Sequence, residues 1–203
     1  MNKILLIIPA YNEQDSILST TKTIDEYNKN HSHLLDYIVI NDGSKDNTEQ
    51  ILVEHEVPHI KLVHNLGIGG AVQTGYKYAF ENDYDIAIQF DGDGQHDVNY
   101  VEDICKPIIE GKANMTIGSR FVEGSTSEFK STKARQMGIK IISSFIKCFA
   151  HEKLYDVTSG FRAIDKGLIK QFDLEYPLEY PEQISTTLIL KEGKKITEVP
   201  VEM

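Results

Sequence analysis

The sequence predicts an α/β fold, a doubly wound and mostly parallel sheet with helices on both faces. Two observations carry that expectation. Ile4-Leu5-Leu6-Ile7-Ile8, Tyr37-Ile38-Val39-Ile40, Ile60-Lys61-Leu62-Val63 and Ile86-Ala87-Ile88-Gln89-Phe90 are largely apolar runs of strand length. An apolar run without polar alternation is how a parallel strand covered on both faces reads. Segments of helical spacing separate these runs, and a β-α-β-α-β-α-β order closes into one sheet through right-handed crossovers.

Taken in order, the first strand stops at Pro9 and gives way to the loop Ala10-Tyr11-Asn12-Glu13. Ile17, Leu18, Thr21, Ile24 and Tyr27 then recur at helical spacing, with Asp15 or Ser16 as the N-cap. The second strand ends in Asn41-Asp42-Gly43-Ser44 and is followed by a helix through Thr48, Ile51 and Leu52. After the third, Asn65-Leu66-Gly67-Ile68-Gly69-Gly70-Ala71 leads into a helix carrying Val72, Gly75, Tyr76 and Ala79. The fourth strand runs directly into Asp91. Beyond it, Asn99 to Glu110 reads as a helix, Ala113 to Gly118 as a strand and Val122 to Thr132 as a polar loop. Lys133 to Ala150 reads as an amphipathic helix and Ile196 to Met203 as a strand. The polar, glycine-containing segments fall at strand C-terminal ends, where open α/β sheets bind ligands.

A chain of 203 residues with no internal repeat or linker predicts one domain, because two separate cores would each be small. With 40% hydrophobic and 26% charged residues it has the make-up of an ordinary globular protein. The net charge of -10 argues against a nucleic-acid binder, which needs a basic excess to neutralise phosphates. Cys105 and Cys148 have no CxxC spacing and read as core residues rather than a zinc site or a disulfide framework. The apolar run at the N-terminus is too short for a signal peptide, and no stretch of ~18 apolar residues is present. A cytoplasmic location, peripheral to the inner face of the plasma membrane, is the expectation.

The strongest chemical signal is Asp91-Gly92-Asp93-Gly94-Gln95-His96 at the end of a buried strand. Carboxylates at i and i+2 on extended chain point to opposite sides, but a turn allowed by Gly92 and Gly94 lets both reach one cation. Hard oxygen ligands suit Mg²⁺ or Mn²⁺, which commonly bridge a protein to substrate phosphates. The Asn65 to Gly70 loop has neither the Walker pattern nor the dinucleotide spacing.

Pro9-Ala10-Tyr11-Asn12-Glu13, Asn41-Asp42-Gly43-Ser44, Asn65 to Gly70, Asp91 to His96, Gly118-Ser119-Arg120 and Thr158-Ser159-Gly160-Phe161-Arg162 occur in one order. Together they resemble the family-2 inverting glycosyltransferases of the GT-A fold, a Rossmann-like architecture, and most nearly the dolichyl- and polyprenyl-phosphate hexosyltransferases. The resemblance runs from residue 4 to about 200. It implies a nucleotide-sugar-binding half over 1–118 and an acceptor-side half over 119–203, short of the C-terminal extension that relatives carry.

The resemblance also implies roles. Pro9, Ala10, Tyr11 and Glu13 would line the base and ribose pocket, with Asp42 bonding the nucleoside. Asn41 stands where many relatives have an aspartate. Gly69 and Gly70 would let the chain pack beside the nucleotide. Asp91, Asp93 and Gln95 would hold Mg²⁺ or Mn²⁺, with Gly92 between them and His96 as a neighbour rather than a ligand. Arg120 and Arg135 would clamp the diphosphate. An inverting transfer to a hydroxyl needs a carboxylate base, for which Asp156 and Glu182 are the candidates; a phosphate acceptor needs none.

The implied partners are a UDP- or GDP-sugar and a polyprenyl phosphate or lipid-linked glycan, with a second copy of the chain as a homodimer partner. The helix at 133–150 either buries its apolar stripe on the sheet or rests in the membrane interface. The Gln-x-x-Arg-Trp motif of processive synthases is absent, and the chain has no tryptophan. A protein or soluble-glycan hydroxyl is the alternative acceptor, and an inactive nucleotide-sugar-binding scaffold the alternative outside enzymes.

Overall fold

The computed structural model describes residues 2–31, 35–122 and 154–202. The expected helix from Lys133 to Ala150 with Arg135, most of the loop from Val122 to Thr132, and Cys148 lie outside the described residues. The strands are β1 (Ile4–Ala10), β2 (Asp36–Asn41), β3 (His59–Lys61), β4 (Ile86–Gln89), β5 (Met115–Ser119), β6 (Arg162–Asp165) and β7 (Ile196–Pro200). The helices are α1 (Ile17–Asn30), α2 (Thr48–Glu54), α3 (Gly67–Glu81), α4 (Val101–Ile109), α5 (Lys166–Leu174) and α6 (Pro181–Lys191).

The strands form one sheet in the order β3-β2-β1-β4-β6-β5-β7. β1 pairs in parallel with both β2 and β4, and β2 with β3. β6 lies antiparallel to β4 on one side and β5 on the other, and β5 pairs in parallel with β7. The expected mostly parallel sheet is present. β6, which begins at Arg162 at the end of the Thr158 to Arg162 motif, is inserted between β4 and β5.

All of β1 is buried, and its alternation builds two cores. Ile4, Leu6 and Ile8 pack with Ile17, Ile24, Leu52 and Ile104 of α1, α2 and α4 on one face. Leu5 and Ile7 pack with Val72, Tyr76, Leu168 and Phe172 of α3 and α5 on the other. Each such side chain contributes roughly 1.5–3 kcal/mol on burial. Helices therefore cover both faces because β1 is apolar at every position from 4 to 8. Cys105 belongs to the first of these cores, where burial pushes its thiol up to about 12.

β1 runs past its expected stop at Pro9 and ends at Ala10. Ile7 O accepts from Phe90 N on the β4 side, whereas Ala10 O accepts from Asp42 N on the β2 side. Pro9, two residues from Ile7, turns its nitrogen toward the side where register with β4 has already ended at Gln89. The missing N–H costs no ladder bond there. Ser16 occupies the N-cap of α1 without capping it, because its hydroxyl donates to Glu13 Oε2 at 2.5 Å.

The strand order reverses direction at β1, since β2 and β3 lie to one side and β4 to the other. Open α/β sheets leave a crevice at such a switch point, outside the carboxyl ends of the strands. Among the described residues no helix is long and apolar enough to cross a membrane.

Candidate active site

A cavity of about 600 Å³ opens at that crevice. It is lined by Pro9, Ala10, Tyr11 and Glu13 after β1, Asp42 after β2, and Asp91, Gly92 and Asp93 after β4. Asn65, Gly67, Ile68 and Ala71 at the start of α3 supply another wall, and Thr158, Gly160 and Glu182 the opposite one.

The loops after β1 and β2 are laced into a single wall. Asn12 N donates to Ser44 Oγ at 3.0 Å and Lys45 N to Asn12 Oδ1 at 2.8 Å. Glu13 N donates to Thr48 Oγ1 at 2.9 Å, and Asn47 N to Gln14 Oε1 at 3.0 Å. Asn41 is a turn builder here: its Oδ1 accepts from Ser44 N at 3.0 Å and its amide donates to Glu49 Oε2 at 2.7 Å. Asp42 accepts from Leu66 N at 2.7 Å through Oδ1, tying the third loop to the second. Burial raises the Asp42 carboxyl, and the backbone N–H groups of Leu66 and Gly67 oppose that.

Asp91 sits at the mouth of the buried β4, its side chain 36% exposed toward the cavity. Its carboxyl is pushed up to about 6, first by burial and then by the like charge of Asp93, while a hydrogen bond from Gln89 and the charges of Arg162 and Arg120 pull it down. His96 lies beneath it: Asp91 N donates to His96 Nδ1 at 2.9 Å, and Nε2 is 3.3 Å from Asp91 Oδ2. Burial holds this imidazole down at about 4, so it is neutral. Asp93 is exposed, and both the backbone N and the side-chain Nε2 of Gln95 donate to it, at 3.0 and 2.7 Å.

A carboxylate whose proton affinity is raised by burial and by a neighbouring like charge, beside an open cavity, is a donor that a hard divalent cation relieves. Asp91 and Asp93 line the cavity and Gln95 bonds Asp93 beside it, so these three side chains offer the hard oxygens that such an ion takes. Among the described residues no cluster of three or more His, Cys, Asp or Glu forms a closed metal site.

The family model for glycosyl transferase family 2 matches residues 5–172. The chain belongs to that family.

This family 2 enzyme is a glycosyltransferase, similar along 98% of its length to the UDP-N-acetylglucosamine–dolichyl-phosphate N-acetylglucosaminyltransferase of Methanococcus voltae, at 32% identity over 84% of that protein. It is 28% identical to the undecaprenyl-phosphate mannosyltransferase of Micrococcus luteus, over 98% of this chain and 82% of that one. Among solved structures, glucosyl-3-phosphoglycerate synthase from Mycobacterium tuberculosis, in complex with Mn²⁺, UDP and phosphoglyceric acid, shares the fold. Its TM-score is 0.72 at 19% identity, covering 98% of this chain and 68% of that one. The architecture is thus the GT-A fold.

Within this transferase the structure revises several expected placements. Asp156 is fully buried and accepts from Arg120 through both oxygens, Nε to Oδ2 at 2.8 Å and Nη2 to Oδ1 at 2.9 Å. That edge of the Arg120 guanidinium, expected on the diphosphate, is spent on a carboxylate. Asp156, expected as a base, has no open face toward an acceptor. Glu198 of β7 supports the pair by accepting from the backbone N–H groups of Tyr155 and Asp156, at 2.8 and 2.7 Å, and its own carboxyl is raised by burial.

Gly69 and Gly70 do not line the cavity. A Cβ on Gly69 would meet the carbonyl oxygens of Pro177 and Leu178 at 2.5 Å, and one on Gly70 would meet Leu66 Cβ at the same distance. Gly69 thus lets α3 dock against the segment before α6, whereas Gly70 leaves room for the Leu66 side chain at the start of the same helix. Glu182, in the first turn of α6, does face the cavity.

Two supporting residues were not singled out from the sequence. Gln89 is buried and donates to Asp91. Arg162 is also buried, donating to the Ser159 carbonyl at 3.0 and 2.6 Å and to the Glu182 carbonyl at 3.1 Å, which joins the Gly160 wall to α6. The available signal was an arginine opening an apolar strand, where a charge must find partners.

Proposed function

We propose that this glycosyltransferase moves a hexosyl unit, with inversion, from a UDP- or GDP-sugar to a polyprenyl phosphate or lipid-linked glycan, using Mg²⁺ or Mn²⁺ held by Asp91, Asp93 and Gln95. The observation that carries the donor half is the cavity uniting the Pro9–Glu13 loop, Asp42 and the Asp91–Asp93 pair. The M. voltae and M. luteus relatives, whose names specify dolichyl phosphate and undecaprenyl phosphate, support the acceptor class. When bound, the cation would neutralise the diphosphate and stabilise the departing nucleoside diphosphate.

The protein's own residues bind and orient. Pro9, Ala10, Tyr11 and Glu13 cradle the nucleoside, while Asp42 fixes the Leu66–Gly67 turn that walls it. Thr158, Gly160 and Glu182 border the sugar, and Arg120 and Asp156 hold the loop after β5 in register with the one before β6. Arg135 is assigned to the diphosphate by the resemblance. With Asp156 buried against Arg120, the cavity is better suited to an acceptor that is already anionic than to one needing deprotonation.

Purified protein would be incubated with UDP- and GDP-sugars and a polyprenyl phosphate, with Mn²⁺ or with EDTA, and labelled lipid product measured. The proposal fails if no donor gives product and none shows Mn²⁺-dependent binding. A second reading keeps a hydroxyl acceptor with Glu182 as base, favoured by that residue's position on the cavity wall. Glu182→Gln discriminates: transfer to a hydroxyl would collapse, whereas transfer to a phosphate would persist.

A further inference from the structure

Both ring nitrogens of His96 are directed at a single residue. Asp91 N–H donates to Nδ1 at 2.9 Å, so that nitrogen offers its lone pair and the ring proton sits on Nε2, 3.3 Å from Asp91 Oδ2. One imidazole thus holds the backbone and the carboxylate of the same aspartate. The ring cannot swing away, because it stacks on Phe161 at 4.6 Å and 16° and meets Phe90 edge-on at 5.5 Å and 78°. Phe90 and Phe161 are both buried, and His96 itself is only 6% exposed. From the other side, a Cβ at Gly160 would lie 3.0 and 3.1 Å from the two Asp91 oxygens, so the 160 backbone backs the carboxylate closely.

Asp93 is held differently. Its oxygens accept from the backbone and side chain of Gln95, two residues along in the same exposed loop. One carboxylate is therefore fixed by the core and the other by its own turn.

The geometry points to His96 as the positioning residue that pre-sets Asp91 for the divalent cation, leaving Asp93 and Gln95 to close on the ion afterwards. This rests on the proposed metal-dependent reading of the site. His96 is not a ligand, since both nitrogens are committed and the ring is enclosed. A carboxylate held in place by an imidazole N–H is the arrangement in which outer partners set metal affinity, and its loss typically weakens binding about 10–100-fold.

The test is calorimetric or paramagnetic titration of Mn²⁺ into the UDP-saturated protein, with UDP binding in EDTA and the melting temperature measured alongside. His96→Phe keeps the stacking and removes both nitrogens; His96→Gln returns a donor in the place of Nε2. Mn²⁺ affinity is expected to fall about 10–100-fold in the phenylalanine variant and to be partly restored in the glutamine variant, with metal-free UDP binding unchanged in both. Wild-type Mn²⁺ affinity in His96→Phe overturns the assignment, as does an equal loss of metal-free UDP binding, which would mark a general collapse of the site. If His96→Phe does not fold, His96→Gln and His96→Asn carry the comparison, and unaltered Mn²⁺ affinity in both overturns it. Absence of Mn²⁺ binding by the wild-type protein would instead sink the metal-dependent reading, and this assignment with it.

Discussion

Arg120 grips Asp156 by two parallel N–H···O bonds of 2.8 and 2.9 Å, and its backbone N adds a third at 3.1 Å to the same carboxylate. The side chains are 8% and 0% exposed, so the pair is sealed from water. It joins the end of β5 to the segment that leads into β6. Removing one partner of a buried pair leaves an uncompensated charge, which typically costs about 3–5 kcal/mol. Asp156→Ala should therefore lower the denaturation midpoint substantially, together with any loss of transfer. If the variant keeps wild-type stability yet loses all activity, Asp156 is acting on substrate and the structural role is wrong.

Gly160 bears on the site more locally. An added methyl would crowd both Asp91 oxygens and the Gln89 amide at 3.0 to 3.1 Å. Gly160→Ala is expected to weaken Mn²⁺ binding in the presence of UDP while changing the melting temperature little. Calorimetry on the two proteins decides it, and equal Mn²⁺ affinities would show that the carboxylate can yield without loss.

Gly69 predicts the opposite pattern. Its α-carbon faces backbone, with Pro177 O and Leu178 O only 2.5 Å from a built Cβ, and backbone cannot step aside as a side-chain tip can. Overpacking of this kind costs typically 1–3 kcal/mol. Gly69→Ala should thus reduce stability in urea by about that amount, and an unchanged unfolding midpoint would count against the close docking of α3.

Asp91 gives a pH prediction. Its carboxyl titrates near 6 rather than at the ordinary 3.8 because of burial and Asp93. A raised carboxyl means that the folded protein binds this proton more tightly than the unfolded chain. The stability it contributes is fully present below about 4 and is lost as pH rises through 6. His96, held at about 4 instead of 6.5, has the opposite sign: its contribution is present at neutral pH and is lost as pH falls from 6.5 toward 4. The two oppose each other in a melting curve, so carbon NMR of the Asp91 carboxyl in the metal-free protein is the clean measurement. A midpoint near 6 that drops in Asp93→Asn is expected, and a midpoint unaffected by that substitution would remove the like-charge cause.

Much of the framework was legible because it depends on local pattern. The apolar run from Ile4 to Ile8 determined a strand buried on both faces, hence helices on both faces. Ile17, Ile24 and Tyr27 determined the buried stripe of α1. The Asp-Gly-Asp turn at the end of β4 was readable for the same reason, since a short acidic segment after a buried strand has its chemistry written in consecutive residues. What Gly69 packs against was not legible, because a glycine announces close approach without naming what approaches.

Contacts across long sequence separations were decided by tertiary structure alone. Nothing local sets Arg162 into an antiparallel strand opposite Gln89, or puts Glu198 behind Asp156. Asp156 was read as a candidate base because carboxylates near a site motif are available in principle. Its availability ended when folding enclosed it with Arg120, a partner 36 residues away. Which side chains gather at the carboxyl ends of β1, β2 and β4 was legible in the sequence, because hydrophobic runs locate the strands and loops and the alternation of strand with helix makes those strands parallel. Which of those polar groups face the cavity and which are consumed holding one another was settled by folding, because burial and pairing are properties of the assembled chain.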